Sequence, residues 1–241
     1  MNIKKHIPNS ITLLNLLCGC IAMVFVTQSD FEMAFYFVCL GIFLDFFDGF
    51  FARLLKVSGP LGLQLDSLAD MVTSGVVPGY VMFFLLSNSQ HEISTHFMMP
   101  YLGFIITMGS CYRLAVFNID TRQTNSFIGL PTPANALFIL SLPLVRDYSD
   151  SLVVLEILTN QWVLLVITLF SAYILNAEIP LFSLKIKKFN LKDNALQIVF
   201  LFLSFLLLIF FQYAGIPLVI IGYVLLSIVS NKFLLDEKKK R

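Results

Sequence analysis

Residues Asp45 to Asp70 read DFFDGFFARLLKVSGPLGLQLDSLAD, with FYFVCLGIFL before them and MVTSGVVPGYVMFFLL after. Both flanks read as membrane helices, and four aspartates, Asp45, Asp48, Asp66 and Asp70, sit between them. An aspartate at the centre of a membrane helix costs roughly 2.5–3.5 kcal/mol on insertion scales. At about 100° per residue, Asp45, Asp48, Gly49, Ala52 and Arg53 share one arc of the first helix, and Gly62, Asp66 and Asp70 share one arc of the next. The KVSGP stretch ends the first helix, because Gly and Pro disfavour its continuation. The two helices then run antiparallel with their acidic arcs able to face each other. Carboxylates converging in a low dielectric repel, so either some are protonated or cations hold them apart. All-oxygen ligands suit Mg²⁺, Mn²⁺ or Ca²⁺. Gly49 and Ala52 let a bulky group approach the helix closely, and Arg53 adds the fixed positive charge that a phosphate needs.

Outside this stretch the chain is as apolar as its flanks. It has 241 residues, 58% of them hydrophobic and only 13% charged, and a mean hydropathy of +0.84. That excludes a soluble domain of useful size and predicts an all-α, polytopic transmembrane bundle formed as one integral membrane domain over residues 1–241. Eight helices are expected, over 11–27, 33–55, 61–86, 97–117, 134–145, 162–177, 195–211 and 218–229. Cys18, Cys20, Cys39 and Cys111 lie in apolar stretches without a CxxC pair, and are expected to be buried, free thiols. No cleavable signal sequence is expected, since Pro8 and Asn9 interrupt the start.

With the N-terminus inside, Lys4, Lys5, Arg53, Lys56, Arg113, Arg122, Lys185, Lys187, Lys188, Lys192, Lys232 and the four basic tail residues fall on one face. The other face has only Arg146 as a cation, with Asp30, Glu32, Glu92, Asp147, Asp150 and Glu156. This places both termini and the aspartates on the cytoplasmic side. Lys185 to Lys192 and the tail are expected to rest on anionic headgroups. His6, His91 and His96 are read as surface residues.

The pattern D-x2-D-G-x2-A-R-x8-G-x3-D-x3-D, complete in Asp45, Asp48, Gly49, Ala52, Arg53, Gly62, Asp66 and Asp70, resembles the signature of the CDP-alcohol phosphotransferases. The resemblance implies that family's fold and a membrane enzyme with two divalent cations, Mg²⁺ or Mn²⁺, per active site. Asp45, Asp48, Asp66 and Asp70 would be the metal ligands, with Asp70 also the catalytic base. It further implies cleavage of the pyrophosphate of a CDP-linked lipid, release of CMP, and a homodimer in the inner membrane with no nucleic-acid partner. Pro8, Asn9 and Thr12, before the first helix, and Ser58 and Gly59 in the acidic turn join Gly49, Ala52, Arg53 and Gly62 as candidates to hold the CDP-lipid. Capping by Asn9 or Ser10 and a plain loop are the bland readings of those two segments.

Three further segments resemble the phosphatidylserine synthase branch. TSGVVP at Thr73 to Pro78 matches at Gly75, Val76 and Pro78, and is also expected to bend its helix. RLAVFN at Arg113 to Asn118 and FIGLPTPAN at Phe127 to Asn135 match the other two, although Val116 stands where the branch has a second arginine. Arg113 and Asn118 are thereby candidates for binding L-serine, with CDP-diacylglycerol as the phosphatidyl donor. Residues 1–135 form the catalytic part on this reading, and 136–241 add further helices without a legible motif. Another acceptor, such as glycerol phosphate or inositol phosphate, is the alternative. A cation transporter is the distant one, disfavoured because the carboxylates cluster toward one face.

Overall fold

The computed structural model describes residues 6–89, 98–120, 127–181 and 194–239. The expectations for His91, His96, Arg122 and the basic connection Lys185 to Lys192 lie outside the described residues, as do those for Lys4, Lys5 and the side chains of the basic tail.

Helix α1 spans His6–Thr27 and α2 spans Phe31–Leu54. The sequence places Pro8 to Thr12 ahead of the first helix, but α1 is already helical at His6, so no cap forms at Asn9 or Ser10. Pro8 sits in the first turn, where a missing N–H costs nothing. Asp30 caps α2, its Oδ1 accepting from the Met33 N–H at 3.0 Å. The chain reverses after Leu54 through Lys56, which is left-handed at φ 56°. Gly59 is merely extended at φ −167°, and Pro60 opens α3. The break therefore comes from Lys56 and Pro60, not from glycine flexibility.

Helix α3 (Pro60–Asp70), a π-helical turn (Met71–Val76) and α4 (Val77–Ser87) form one 28-residue run. The expected bend at Gly75 and Pro78 is thus taken up as a π turn, in which the Val77 N–H reaches back to the Val72 carbonyl. The wider turn leaves room for the Pro78 ring, which would press on the i−4 carbonyl of a regular helix. The Gly75 carbonyl instead accepts from Thr107 Oγ1 at 3.0 Å.

A 3₁₀ turn (Pro100–Phe104) leads into α5 (Ile105–Ile119), followed by α6 (Thr132–Tyr148). Helices α7 (Leu152–Thr159) and α8 (Gln161–Asn176) meet at a 68° bend. Asn160 sits at that bend and caps α8, accepting from the Trp162 N–H at 2.9 Å. The apolar run from Leu196 to Ser230 breaks at Gln212 (φ 47°) into α9 (Ala195–Phe211) and α10 (Gly215–Lys239). These lie side by side, with the Phe200 and Tyr223 rings 5.6 Å apart. The eight expected helices are all present, and α7 is an addition. A second addition is a two-residue antiparallel pairing of β1 (Phe127–Ile128) with β2 (Pro180–Leu181). Gly129 follows it at φ 78°, where a Cβ would come within 2.5 Å of the Leu175 carbonyl.

The core is shared by α1, α2, α4, α5, α6 and α8 through Ala22, Val26, Val38, Val81, Met82, Ile106, Ile139 and Leu164, all fully buried. The α3–α4 run is 61% buried over its apolar window and the α9–α10 run only 6%, so the first is the axis of the bundle and the second lies on its outside. Among the described residues, five runs are long and apolar enough to cross a membrane, six with the α7–α8 pair. The chain is a multi-pass membrane protein. Its cysteines are free, but only Cys18 is buried and Cys39 half-buried; Cys20 and Cys111 face outward, a correction to the expectation of four buried thiols.

Gly103 marks one place where this packing leaves no room, since a Cβ there would lie 2.5 Å from the Phe83 backbone nitrogen. Gly103→Ala should therefore lower the melting temperature of the purified protein, at a cost of about 1–3 kcal/mol. Gly222→Ala, with nothing within 4 Å of the new methyl, should leave it unchanged or raise it.

Candidate active site

Helix α3 packs on α1, and α1 packs on α2. Helices α2 and α3 consequently face each other across a cleft, and the aspartates line it. Carboxylate oxygens of Asp45, Asp48 and Asp66 all lie within 4.8 Å of one another. Asp48 is buried, and Asp45 and Asp66 are half-buried. The Thr12 hydroxyl donates to Asp48 Oδ2 at 2.5 Å, tying α1 to the cluster.

These residues fit a divalent cation. The donors are all anionic oxygens, the preference of Mg²⁺ and Mn²⁺. Oxygens on an octahedral ion with bonds of about 2.1 Å stand about 3.0 Å apart when adjacent and about 4.2 Å when opposite, separations that a set lying within 4.8 Å can reach. Three carboxylates this close, with a single exposed guanidinium (Arg53) on their arc, are otherwise held together against their mutual repulsion.

Asp70 lies outside that three-oxygen group but on the same cavity wall as Asp45 and Asp66. Its Oδ1 accepts from Asn15 Nδ2 of α1 at 3.1 Å. Two cavities meet at the carboxylates. The first, about 180 Å³, is lined by Pro8, Asn9, Thr12, Asp48, Gly49, Ala52, Arg53, Ser58, Gly59, Gly62 and Asp66, together with Val57 and Leu63. Every residue that the sequence nominated for the CDP-lipid is on this wall. Gly49 leaves space filled by the Arg53 guanidinium, whose Nη1 would be 3.4 Å from a Cβ there. Gly62 leaves open space facing Asn9.

The second cavity, about 230 Å³, is lined by Asp45, Asp66, Ser67, Asp70, Arg113, Leu114, Phe117, Pro131, Thr132 and Pro133. Asp66 is on both walls. Arg113 is buried, lies 5.8 Å over the Phe117 ring, and reaches the Gly129 carbonyl at 3.5 Å. Asn118, nominated with Arg113, is not on this wall. Its Nδ2 donates to Ser67 Oγ at 2.8 Å, so it touches the cavity only through Ser67. Sequence reasoning missed Ser67 and Asn15. Asn15 carries a weak signal, an amide in the apolar run TLLNLLCGC one turn after Thr12.

The opposite end of the bundle is polar in a different way. Glu32 accepts from Tyr36 at 2.9 Å, Tyr148 at 2.5 Å and Tyr213 at 3.0 Å, joining α2, α6 and the turn before α10. Arg146 and Asp147 pair beside them.

Fold and site together define a multi-pass helical membrane protein with an oxygen-ligand cluster between two cavities. The chain belongs to the CDP-alcohol phosphatidyltransferase family, whose model matches residues 5–174. That match runs beyond the legible motifs, through α6 and α7 and into α8. The chain is similar to a CDP-diacylglycerol–serine O-phosphatidyltransferase of Bacillus subtilis, 35% identical over 133 residues, covering 54% of this chain and 70% of that protein. A Helicobacter pylori protein of the same name is 31% identical over 201 residues, covering 82% and 81%. An archaetidylserine synthase of Methanothermobacter thermautotrophicus is 27% identical over 158 residues, covering 62% and 65%.

Gly62→Leu would push a side chain into the first cavity beside Asn9. Binding of CDP, measured by calorimetry on the purified protein, should weaken about tenfold or more, with the melting temperature unchanged.

Proposed function

We propose that this protein is a phosphatidylserine synthase, transferring the phosphatidyl group of CDP-diacylglycerol to L-serine with release of CMP. The observation that carries the reading is the pair of cavities meeting at Asp66, one lined by the D-G-A-R arc and the other by Asp70 and buried Arg113. The relatives named for the serine reaction support the choice of acceptor.

In this scheme the first cavity holds the cytidine diphosphate. Pro8, Asn9, Thr12, Ser58 and Gly59 surround the nucleoside. Gly49, Ala52 and Gly62 leave room for the pyrophosphate, and the Arg53 guanidinium holds a phosphate oxygen. Two divalent cations, Mg²⁺ or Mn²⁺, held by Asp45, Asp48, Asp66 and Asp70, would neutralise the pyrophosphate oxygens and make CMP a better leaving group. Serine occupies the second cavity, its carboxylate toward Arg113 and its hydroxyl toward Asp70. Asp70 takes the hydroxyl proton as the serine oxygen attacks the phosphatidyl phosphorus. The new P–O bond forms as the bond to CMP breaks, and CMP leaves with the electron pair. The diacyl chains stay in the bilayer.

The cavities open toward the cytoplasm on this reading, with both termini on that side. Arg53 and Lys56 flank them, whereas Glu32 and the Arg146–Asp147 pair lie at the other end, Glu32 being about 32 Å from Arg53 along α2. The working unit is a homodimer in the cytoplasmic membrane.

Asp70→Asn should reduce turnover by roughly 10²- to 10⁴-fold while CDP-diacylglycerol still binds; a near-normal rate would remove Asp70 as the base. EDTA should abolish CMP release, and added Mg²⁺ or Mn²⁺ should restore it. Membranes given CDP-diacylglycerol with serine, glycerol phosphate or inositol phosphate in turn should release CMP with serine alone. Release with a phosphorylated acceptor instead would reassign the second cavity.

A further inference from the structure

The amide of Asn15 is fully buried, with zero exposure, in a helix that otherwise buries small and apolar groups. Its Nδ2 donates to Asp70 Oδ1 at 3.1 Å, while its Oδ1 has no hydrogen-bond partner. An orphaned buried carbonyl costs roughly 1–3 kcal/mol. The amide oxygen is thus a local cost to the fold, while the amide nitrogen is committed to Asp70.

The surroundings hold that amide in one pose. Gly41 of α2 leaves the space that Asn15 uses: a Cβ there would be 2.8 Å from Asn15 Oδ1 and 2.8 Å from Thr73 Cγ2. Thr73, in the π turn, donates its hydroxyl to the Asn15 backbone carbonyl at 3.1 Å, which fixes the helix beneath the side chain and leaves Oδ1 unpartnered. Gly19, one turn along α1, leaves the matching space for Thr73, whose Oγ1 would stand 2.6 Å from a Cβ. Three elements thus converge on one side chain that lines neither cavity, and its amide nitrogen is spent on Asp70.

We infer that Asn15 is a positioning residue for the reaction. By holding Asp70 Oδ1, it fixes the carboxylate's rotation and leaves Oδ2 to face the second cavity. The inference rests on the role given to Asp70 above. Without the amide, Asp70 turns about its own side-chain bonds and the attacking hydroxyl loses its aligned acceptor, while the nucleotide wall is untouched.

The test is steady-state CMP release by the purified, lipid-reconstituted protein, with melting temperature measured alongside. Asn15→Leu is expected to lower kcat roughly 10- to 100-fold, with KM for CDP-diacylglycerol within about twofold of wild type and the protein still folding cooperatively. Gly41→Ala, which pushes on the amide from behind, is expected to lower kcat in the same direction by a smaller factor, again at constant KM. Unchanged kcat in folded Asn15→Leu overturns the inference, as does a loss carried wholly by KM for the CDP-lipid. Should Asn15→Leu fail to fold, Gly41→Ala decides by the same two criteria. If wild type proves to use another acceptor, the kcat ratios are read with that acceptor, so failure of the serine assignment remains separate from failure of the Asn15 role.

Discussion

Mutual repulsion among carboxylates is the constraint on which this structure is built. Asp45, Asp48 and Asp66 are brought within ligand distance of one another inside an apolar bundle. Each of their helices must be held by something other than the acids themselves. Helix α1 does this, packing on both α2 and α3 and supplying the Thr12 hydroxyl and the Asn15 amide. The two acidic helices are therefore splayed by a third, and the cleft they leave is the site. The Lys56 reversal, the Pro60 start of α3 and the π turn beneath Asp70 serve that geometry. They set where one helix stops, where the next begins, and how its far half continues into the core.

The same arrangement divides the labour of the four acids. Three have oxygens close enough for a common cation, and Asp70 alone among the four accepts from the Asn15 amide. Sequence spacing alone treats Asp66 and Asp70 as equivalent, since they are one turn apart on one arc. Their difference is set by residues on another helix. Asp66 lies between the two cavities, whereas Asp70 faces one of them.

Much was legible in the sequence because membrane helices write themselves in hydropathy, and because a motif with fixed spacing maps directly onto helix faces. The wall of the first cavity, apart from Val57 and Leu63, consists of residues named from spacing or resemblance: the D-G-A-R arc, Pro8, Asn9 and Thr12, the Ser58–Gly59 turn, Gly62 and Asp66. What was not legible depends on contacts across helices. Asn15 and Ser67 act on neighbours far away in sequence, and no period reveals them. Helix α7 is too short to stand out from its apolar surroundings. The π turn could not be told from a kink, since Gly75 and Pro78 permit both. Asn9 and Ser10 read as caps because both are good ones, yet α1 begins earlier at His6.

The clasp of three tyrosines on Glu32 has a consequence for the cell that carries this protein. A membrane that stores an electrochemical gradient cannot tolerate a wet path from one surface to the other. Here two hollows reach in from one end, and between them and the tyrosines lies a plug that includes Val38, Val81 and Met82, which have no exposed surface at all. Beyond that plug, the clasp binds the far ends of α2 and α6 to the turn before α10, so they do not splay and admit solvent. The bundle can then be hydrated in one half and remain an electrical insulator in the other.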